Sequence, residues 1–261
     1  AAMNELPSST FEGLASTYQK HRPSYPDAVM ERIAKLAPSE PCQALDVGAG
    51  TGIASRGMAQ ALGSGWHVKG LEPGADMLRE ARRSSDGIVN LSFEQSGAET
   101  LPVANGTTGL ILVAQALHWF DRPLFYSECG RVLAPGGRLM VLYNDRDPDG
   151  ALTSEFEARM EAEIPDYDRA YRSFDYVGEI ITVDWGEAAT LDEINWTWHL
   201  TTDQFAGLML SRSKGKPWVD RVGRDAVEAE LIGLARQHSD EDGLVPLPYI
   251  TRLAHVQRRG V

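Results

Sequence analysis

The 261-residue chain is short of several things, and each shortage excludes a class of protein. It has two cysteines, Cys42 and Cys129, far apart and in neither a C-x-x-C pair nor a metal-like spacing with histidine. A disulfide framework and a cysteine-built zinc site are therefore excluded, and free thiols in a reducing compartment are expected. Cations are scarce: 25 Lys and Arg stand against 37 Asp and Glu, a formal charge of -12. Such a surface repels phosphate backbones, so nucleic acid is a poor partner and a small molecule a better one. No run of about 18 apolar residues occurs, so no membrane-spanning helix and no membrane partner are expected. Residues Ala1 to Thr10 lack the basic-then-apolar pattern of a secretory leader, and a cytoplasmic location is expected. Internal repeats, low-complexity segments and clear linkers are also missing. The simplest organisation is one domain, as a monomer or homodimer.

What remains is an ordinary globular composition, 43% apolar and 24% charged, on a chain long enough to bury a core without staples. From Pro41 to Asp145 short β-like runs alternate with helical stretches. The runs are Ala44–Val47, His67–Leu71, Leu91–Glu94, the continuously apolar Leu110–Ala114, and Arg138–Tyr143. Helical sequence fills Ile53–Leu62, Ala75–Arg83 and Pro123–Leu133. This alternation predicts an α/β fold: a Rossmann-like, doubly wound, mostly parallel sheet with helices on both faces. Helices are expected over Phe11–Gln19 and Pro26–Leu36 before it, and over Leu152–Ile164, Asp203–Ser211 and Val227–His238 after it. Ile194–Leu200 alternates with period two, and Tyr249–Gln257 reads as a last strand. The expected organisation is an N-terminal helical cover (1–40), a ligand-binding core (41–146), a substrate cap after the fifth strand (147–192), and C-terminal strands and helices (193–261), with seven strands in all.

The most informative segment is Asp46-Val47-Gly48-Ala49-Gly50-Thr51-Gly52, which leaves a β run and opens a helix. Glycines there allow a tight turn and a close approach of ligand to backbone amides. The spacing is G-x-G-x-G, not the G-x-G-x-x-G of dinucleotide sites, which argues against a nicotinamide oxidoreductase. A tight loop with an acid two residues ahead suits a ligand carrying an amino group and a carboxylate. Glu72, at the end of the second strand, can accept two hydrogen bonds from ribose hydroxyls.

These residues resemble the class I S-adenosylmethionine (SAM)-dependent methyltransferases. The family pattern D/E-x-G-x-G-x-G is matched by Asp46, Gly48, Gly50 and Gly52, and its second-strand acid by Glu72 in Gly70-Leu71-Glu72-Pro73. Ser96 to Pro102 resembles the stretch that lines the adenine, and Arg131 to Gly137 the entry to the fifth strand. A finer likeness is to the trans-aconitate methyltransferase branch (methyltransferase type 11). It is carried by Tyr18 to Pro26, by Gln115 to Asp121, and by Leu247 to Arg252. Pro148 to Trp185 is unmatched, and Gly109 stands where relatives often have an acid.

The resemblance implies SAM as cofactor, with S-adenosyl-L-homocysteine (SAH) as product. It implies a cofactor site of Tyr18, Arg22, Asp46, Gly48, Ala49, Gly50, Gly52, Glu72, Pro73, Met77, Ala98, Glu99, Gln115, His118 and Trp119. Tyr18 would contact the methionine part and Arg22 its carboxylate, unless Tyr18 packs in the core and Arg22 pairs with a surface acid. His118 is either a base or acceptor orienter or a hydrogen-bonded structural histidine. Tyr18 and His118 are the catalytic candidates. Trp119 could shield the sulfonium or simply pack, and Glu99 could line the adenine or cap a helix. Asp145 and Asp147 raise a metal reading, but no further ligand set accompanies them, so no metal is expected. The aromatics from Tyr167 to Tyr176 either line an apolar pocket or pack within the cap.

The function expected is methyl transfer to an O, N or C atom of a small metabolite or natural-product intermediate, carboxylates included. Two alternatives stay open: a SAM-binding relative with a non-methylating reaction such as cyclisation, and an RNA or protein methyltransferase. No Asn-Pro-Pro-Tyr-like motif follows the fourth strand and no Pro-Cys nucleophile is present, which favours a small acceptor. In so acidic a chain, His21, Arg22, His118, Arg122 and Arg146 are the cations to examine for an anionic acceptor.

Overall fold

The computed structural model describes residues 24–169 and 174–260. The helix expected over Phe11–Gln19, and with it Tyr18, His21 and Arg22, lies outside the described residues.

Seven strands form one sheet: β1 (Gln43–Val47), β2 (His67–Leu71), β3 (Leu91–Glu94), β4 (Thr108–Ala114), β5 (Leu133–Arg146), β6 (Gly186–Leu200) and β7 (Val245–Arg258). Their spatial order is β3-β2-β1-β4-β5-β7-β6. The pairs among β1 to β5 are parallel, whereas β7 runs antiparallel to both β5 and β6. The apolar run in β4 distributes side chains alternately to the two faces. Ile111 and Val113 enter one core with Leu45, Val47, Leu139 and Val141. Leu110 and Leu112 enter the other with Ala44, Val68, Met140 and Leu142.

Helices cover both faces. On the second face lie α1 (Asp27–Leu36) and α2 (Ile53–Leu62), whose Val29, Met30, Ile33, Ala54 and Met58 fall on helical spacings and are buried. Next in the chain comes α3 (Ala75–Ser84), with Met77, Leu78 and Ala81 buried. The first face is covered by α4 (Arg122–Val132), which opens on an Asp121 cap over the Leu124 amide and buries Phe125, Cys129 and Val132. A third core stands beyond the end of β5. There α5 (Ala151–Glu163), α7 (Thr202–Leu210) and α9 (Arg224–Gln237) pack Phe156, Met160, Phe205 and Leu231 around Trp218 of α8 (Lys216–Val222). The remaining helix, α6 (Tyr176–Ile181), packs Tyr176 and Val177 against the first core. Among the described residues no helix is long and apolar enough to cross a membrane.

Several elements are longer or newer than the sequence pattern suggests: β5 begins at Leu133 rather than Arg138 and β7 at Val245 rather than Tyr249. β6 begins at Gly186, so the 192/193 cap boundary falls inside a strand. It is an edge strand whose residues 187–193 are half-buried or exposed, and without a buried face it carries no apolar alternation. The short helices α6 and α8, of six and seven residues, offer too few turns for a period to emerge.

Gly109 has a packing reason. A Cβ there would collide with the Pro41 carbonyl oxygen and crowd the Pro38 ring. Placing an acid there, Gly109→Asp, is expected to destabilise the fold by about 1–3 kcal/mol through overpacking. An unchanged midpoint in urea unfolding would contradict this.

Candidate active site

The site forms where β1, β2, β4 and β5 all end, as expected for open α/β sheets. The loop leaving β1 turns through Gly48, Gly50 and Gly52, whose φ angles are +74°, +55° and +78°. The Gly48 and Ala49 amides donate to the Leu71 carbonyl at 2.9 and 3.0 Å. A Cβ on Gly48 would lie 2.6 Å from Ala116 Cβ, so the loop runs hard against the exit of β4. At Gly50 a Cβ would meet nothing within 4 Å, so this turn of the loop faces open space.

Glu72 locks this loop to the next one. Its Oε2 accepts from the Gly50 amide and its Oε1 from the Gly74 amide, both at 2.8 Å. Each carboxylate oxygen can still accept a further donor. Burial raises the Glu72 pKa above the ordinary value, and the Gly74 and Gly50 amides pull it back. Asp46 is fully buried beneath the loop; its Oδ2 accepts from Ser55 Oγ at 2.5 Å, and among the described residues its Oδ1 has no partner. Burial pushes its pKa up to about 6; the Ser55 bond opposes the shift and the Glu72 charge adds to it. Thr51 Oγ1 is likewise buried without a partner among these residues. At the tip of β4, Gln115 holds φ +59°, rare for a side-chain-bearing residue, and its Nε2 donates to the Asn144 carbonyl at 3.2 Å.

Above these strand ends lies a cavity of about 730 Å³. One wall is the glycine loop with Glu72, Pro73, Met77 and Ala98; the opposite wall is Asn144, Arg146, Tyr167, Met209, Arg212 and Tyr249. The Tyr249 ring stacks on Trp196 with centroids 4.9 Å apart. Trp196 Nε1 in turn donates to Thr251 Oγ1 at 2.8 Å, and that hydroxyl donates to Asn144 Oδ1. Thus β6 and β7 brace the wall from outside.

The sequence profile of a methyltransferase domain matches residues 44–137. An uncharacterized methyltransferase of Mycobacterium tuberculosis is 31% identical over 249 residues, 94% of this chain and 93% of its own length. A protein assigned as a methyltransferase in Dictyostelium discoideum is 32% identical over 131 residues, 50% of this chain but only 47% of its own. Among solved structures, a protein assigned as a type II methyltransferase from Anaeromyxobacter dehalogenans superposes with a TM-score of 0.67 at 25% identity, covering 91% of this chain and 97% of that one. The chain belongs to the class I SAM-dependent methyltransferases.

In this methyltransferase, most residues singled out from sequence line the cavity: Asp46, Gly48, Ala49, Gly50, Glu72, Pro73, Met77, Ala98, Glu99, Gln115 and Trp119. Gly52 does not; its Cβ position is closed by the Phe93 ring at 2.7 Å, so it serves the turn. His118 does not line the cavity either. Its Nδ1 lies 3.2 Å from Tyr143 Oη and its ring leans on Trp119, with centroids 4.8 Å apart. Glu99 both lines the cavity and accepts the Asp121 amide at 3.0 Å. Tyr18 and Arg22 lie outside the described residues. Of the cations flagged, Arg146 lines the cavity, whereas Arg122 pairs with Glu179 at 2.8 Å. Asp145 pairs with Arg252 at 3.3 Å, and among the described residues no group of three His, Cys, Asp or Glu is placed to hold a metal ion. Of the aromatic cluster, Tyr167 lines the cavity, whereas Phe174 and Tyr176 pack against the first core.

Sequence reasoning missed Tyr25, Thr153, Glu157, Leu208, Met209 and Arg212 on the cavity wall. Of these only Tyr25 carried a signal, lying, like Tyr249 on the same cavity, in a stretch that resembles the finer branch.

The Asp46 carboxyl gives a pH test. Its folded pKa of about 6 lies above the ordinary 3.8. The native state therefore holds an extra proton between roughly pH 4 and 6, and stability is lost as pH rises through that window. The melting temperature of the wild type is expected to fall relative to Asp46→Asn over this range. Parallel profiles would mean that burial does not raise Asp46.

Proposed function

We propose that this chain transfers the methyl group of SAM to an O, N or C atom of a small-molecule acceptor. The observation that carries the reading is a cavity with two unlike walls: a glycine loop and carboxylate suited to a nucleoside with an amino-acid tail, and an aromatic, polar wall built by β5, β7 and the segments around α5 and α7.

The residues present fit the cofactor. Gly50 leaves room where a side chain would fill the cradle, and Glu72 keeps acceptor capacity for a pair of ribose hydroxyls. The unpartnered Asp46 Oδ1 and Thr51 Oγ1 offer buried polar atoms beside the loop, where an ammonium or a water attached to it would be satisfied. Ala98 and Glu99 supply the side of the pocket for the base. When bound, SAM supplies an electrophilic methyl group on a positively charged sulfur. The chain's own task is alignment and exclusion of water, and alignment alone is worth about 7–11 kcal/mol in favourable cases. Trp119 and Phe120 cover the cavity beside Gln115. With its ring at Tyr143 rather than on the cavity wall, His118 supports Trp119 in this reading. The finer likeness to the trans-aconitate branch supports an acceptor under the cap, because its stretches contribute Tyr25, Gln115, Trp119 and Tyr249 to the wall. The charge of -12 supports a small acceptor over RNA.

Glu72→Ala is expected to weaken SAH binding by about tenfold or more, the loss of hydrogen bonds to a charged group. Gly50→Ala is expected to cost about 1–2 kcal/mol of stability for a non-glycine in this backbone region, yet to abolish SAH binding by filling the cradle. Calorimetric titration with SAH, alongside melting curves, checks both. SAH affinity unchanged in both variants would sink the cofactor assignment.

A further inference from the structure

The cap wall holds an arrangement that neither the cofactor nor the fold accounts for. Arg146, the last residue of β5, is nearly buried, with a tenth of its side chain exposed. Its Nη2 pairs with Glu157 Oε1 on α5 at 2.7 Å, its Nη1 lies 3.1 Å from Met209 Sδ on α7, and its plane sits over the Phe156 ring at 4.9 Å. The other oxygen of Glu157 is taken by Tyr167 Oη at 2.7 Å. Arg212, just beyond α7, lines the same cavity, and among the described residues it has no ion-pair partner. Burial pushes the Arg146 pKa down to about 10, with Arg212 as the next contributor, so the two guanidiniums feel one another.

Glu157 thus pairs with Arg146, and among the described residues no carboxylate pairs with the Arg212 guanidinium beside it. Elsewhere on this wall Arg169 is bound by both oxygens of Glu161, Asp145 is paired with Arg252, and Lys214 donates to the Asp168 carbonyl against the Tyr167 ring. Like charges held together in a partly desolvated site are unfavourable unless an anion joins them. In a chain of net charge -12, an excess cation inside a cavity stands out. The site is also separate from Glu72. β2 and β5 are three strand spacings apart in the sheet, roughly 14 Å at about 4.8 Å each.

We propose that the acceptor of this methyltransferase is a carboxylate-bearing small molecule, its carboxylate held between Arg146 and Arg212 while its apolar body lies against Tyr167, Met209 and Tyr249. A guanidinium fork matches a carboxylate in two parallel hydrogen bonds. The proposal rests on the methyltransferase reading for calling the ligand an acceptor, but the anion site itself can be tested separately.

The test uses the full chain with saturating SAH and measures melting temperature and calorimetric affinity for two carboxylates, 3-phenylpropionate and octanoate. Each is compared with its uncharged primary amide, and phenyl phosphate forms a third arm. The carboxylates are expected to raise the melting temperature and the amides not to. Arg212→Gln is expected to lower carboxylate affinity by about tenfold or more while SAH affinity stays the same. Arg146→Gln leaves Glu157 buried beside an uncharged group and can fail to fold, so Arg212→Gln and Arg212→Lys carry the test. Lysine keeps the charge but loses the fork, and intermediate affinity is expected. Equal shifts with amide and acid, no shift with either carboxylate, or undiminished affinity in Arg212→Gln would each overturn the proposal. Tighter binding of phenyl phosphate would replace carboxylate by phosphate and overturn it in that form. If SAH does not bind, the cofactor reading fails, and titrating the carboxylates into the protein alone still decides the anion site.

Discussion

The contact on which the site depends is the Glu72 carboxylate between two loops. Its two oxygens each receive one backbone amide, Gly50 from the turn after β1 and Gly74 from the turn after β2. The carboxylate thereby fixes the glycine loop against the turn that caps α3, and so shapes one wall of the cavity. The arrangement works because β1 and β2 are parallel neighbours in register, with Val47 opposite Leu71, which brings both C-terminal ends to the same edge. The Leu71 carbonyl then receives the Gly48 and Ala49 amides, and the turn closes on a strand rather than on solvent. Burying the carboxylate is unfavourable, as its raised pKa records, and the two amides offset part of that. A polar group held at such a junction is preorganised for ligand hydroxyls, because its bonds to protein are already made.

The opposite wall follows from a different constraint, the reversal of direction at β7. Because β7 runs antiparallel to β5, its N-terminal half lies beside the C-terminal end of β5, pairing Arg146 with Tyr249. This brings Tyr249, Thr251 and, through β6, Trp196 behind the cavity, and it gives the helical cap core a floor on which to pack. Arg146 is thereby enclosed by α5 and α7 and desolvated, while Glu157 supplies only part of its compensation. The glycine-loop wall comes from parallel strands and short loops. The opposite wall comes from the antiparallel extension and the helices beside it.

The core of the fold could be read from local pattern because it is made of local units. The β1 turn, the first three strands and the helices after β1 and β2 are each bounded by glycines, prolines or caps, and nearly every one of them stands within a residue or so of its sequence-derived bounds. Legibility faded where pattern carries no information. β6 is an edge strand with a solvated face, and its first half shows no alternation. The helix Lys216–Val222 is short and owes its place to Trp218, buried in a cluster whose other members come from four distant segments. His118 shows the same limit at the level of one residue: its position after β4 suggested the cavity, but its partner Tyr143 on β5 turns the ring elsewhere.

By itself the sequence determined the glycine turn, the acid at the tip of β2, the order of strands and helices from Pro41 to Tyr143, and the family they mark. Each depends on backbone conformation or on residues close together in the chain, where spacing translates directly into geometry. Tertiary structure alone decided which side chains line the wall opposite the glycine loop. Arg146, Glu157, Tyr167, Met209, Arg212 and Tyr249 come from four elements and two loops spread over more than a hundred residues. They meet only because β7 folds back against β5 and the cap helices bury their apolar faces over the strand ends. Charge balance at that wall depends on which carboxylates are within reach of which guanidiniums, and distance in space, not in sequence, settles it.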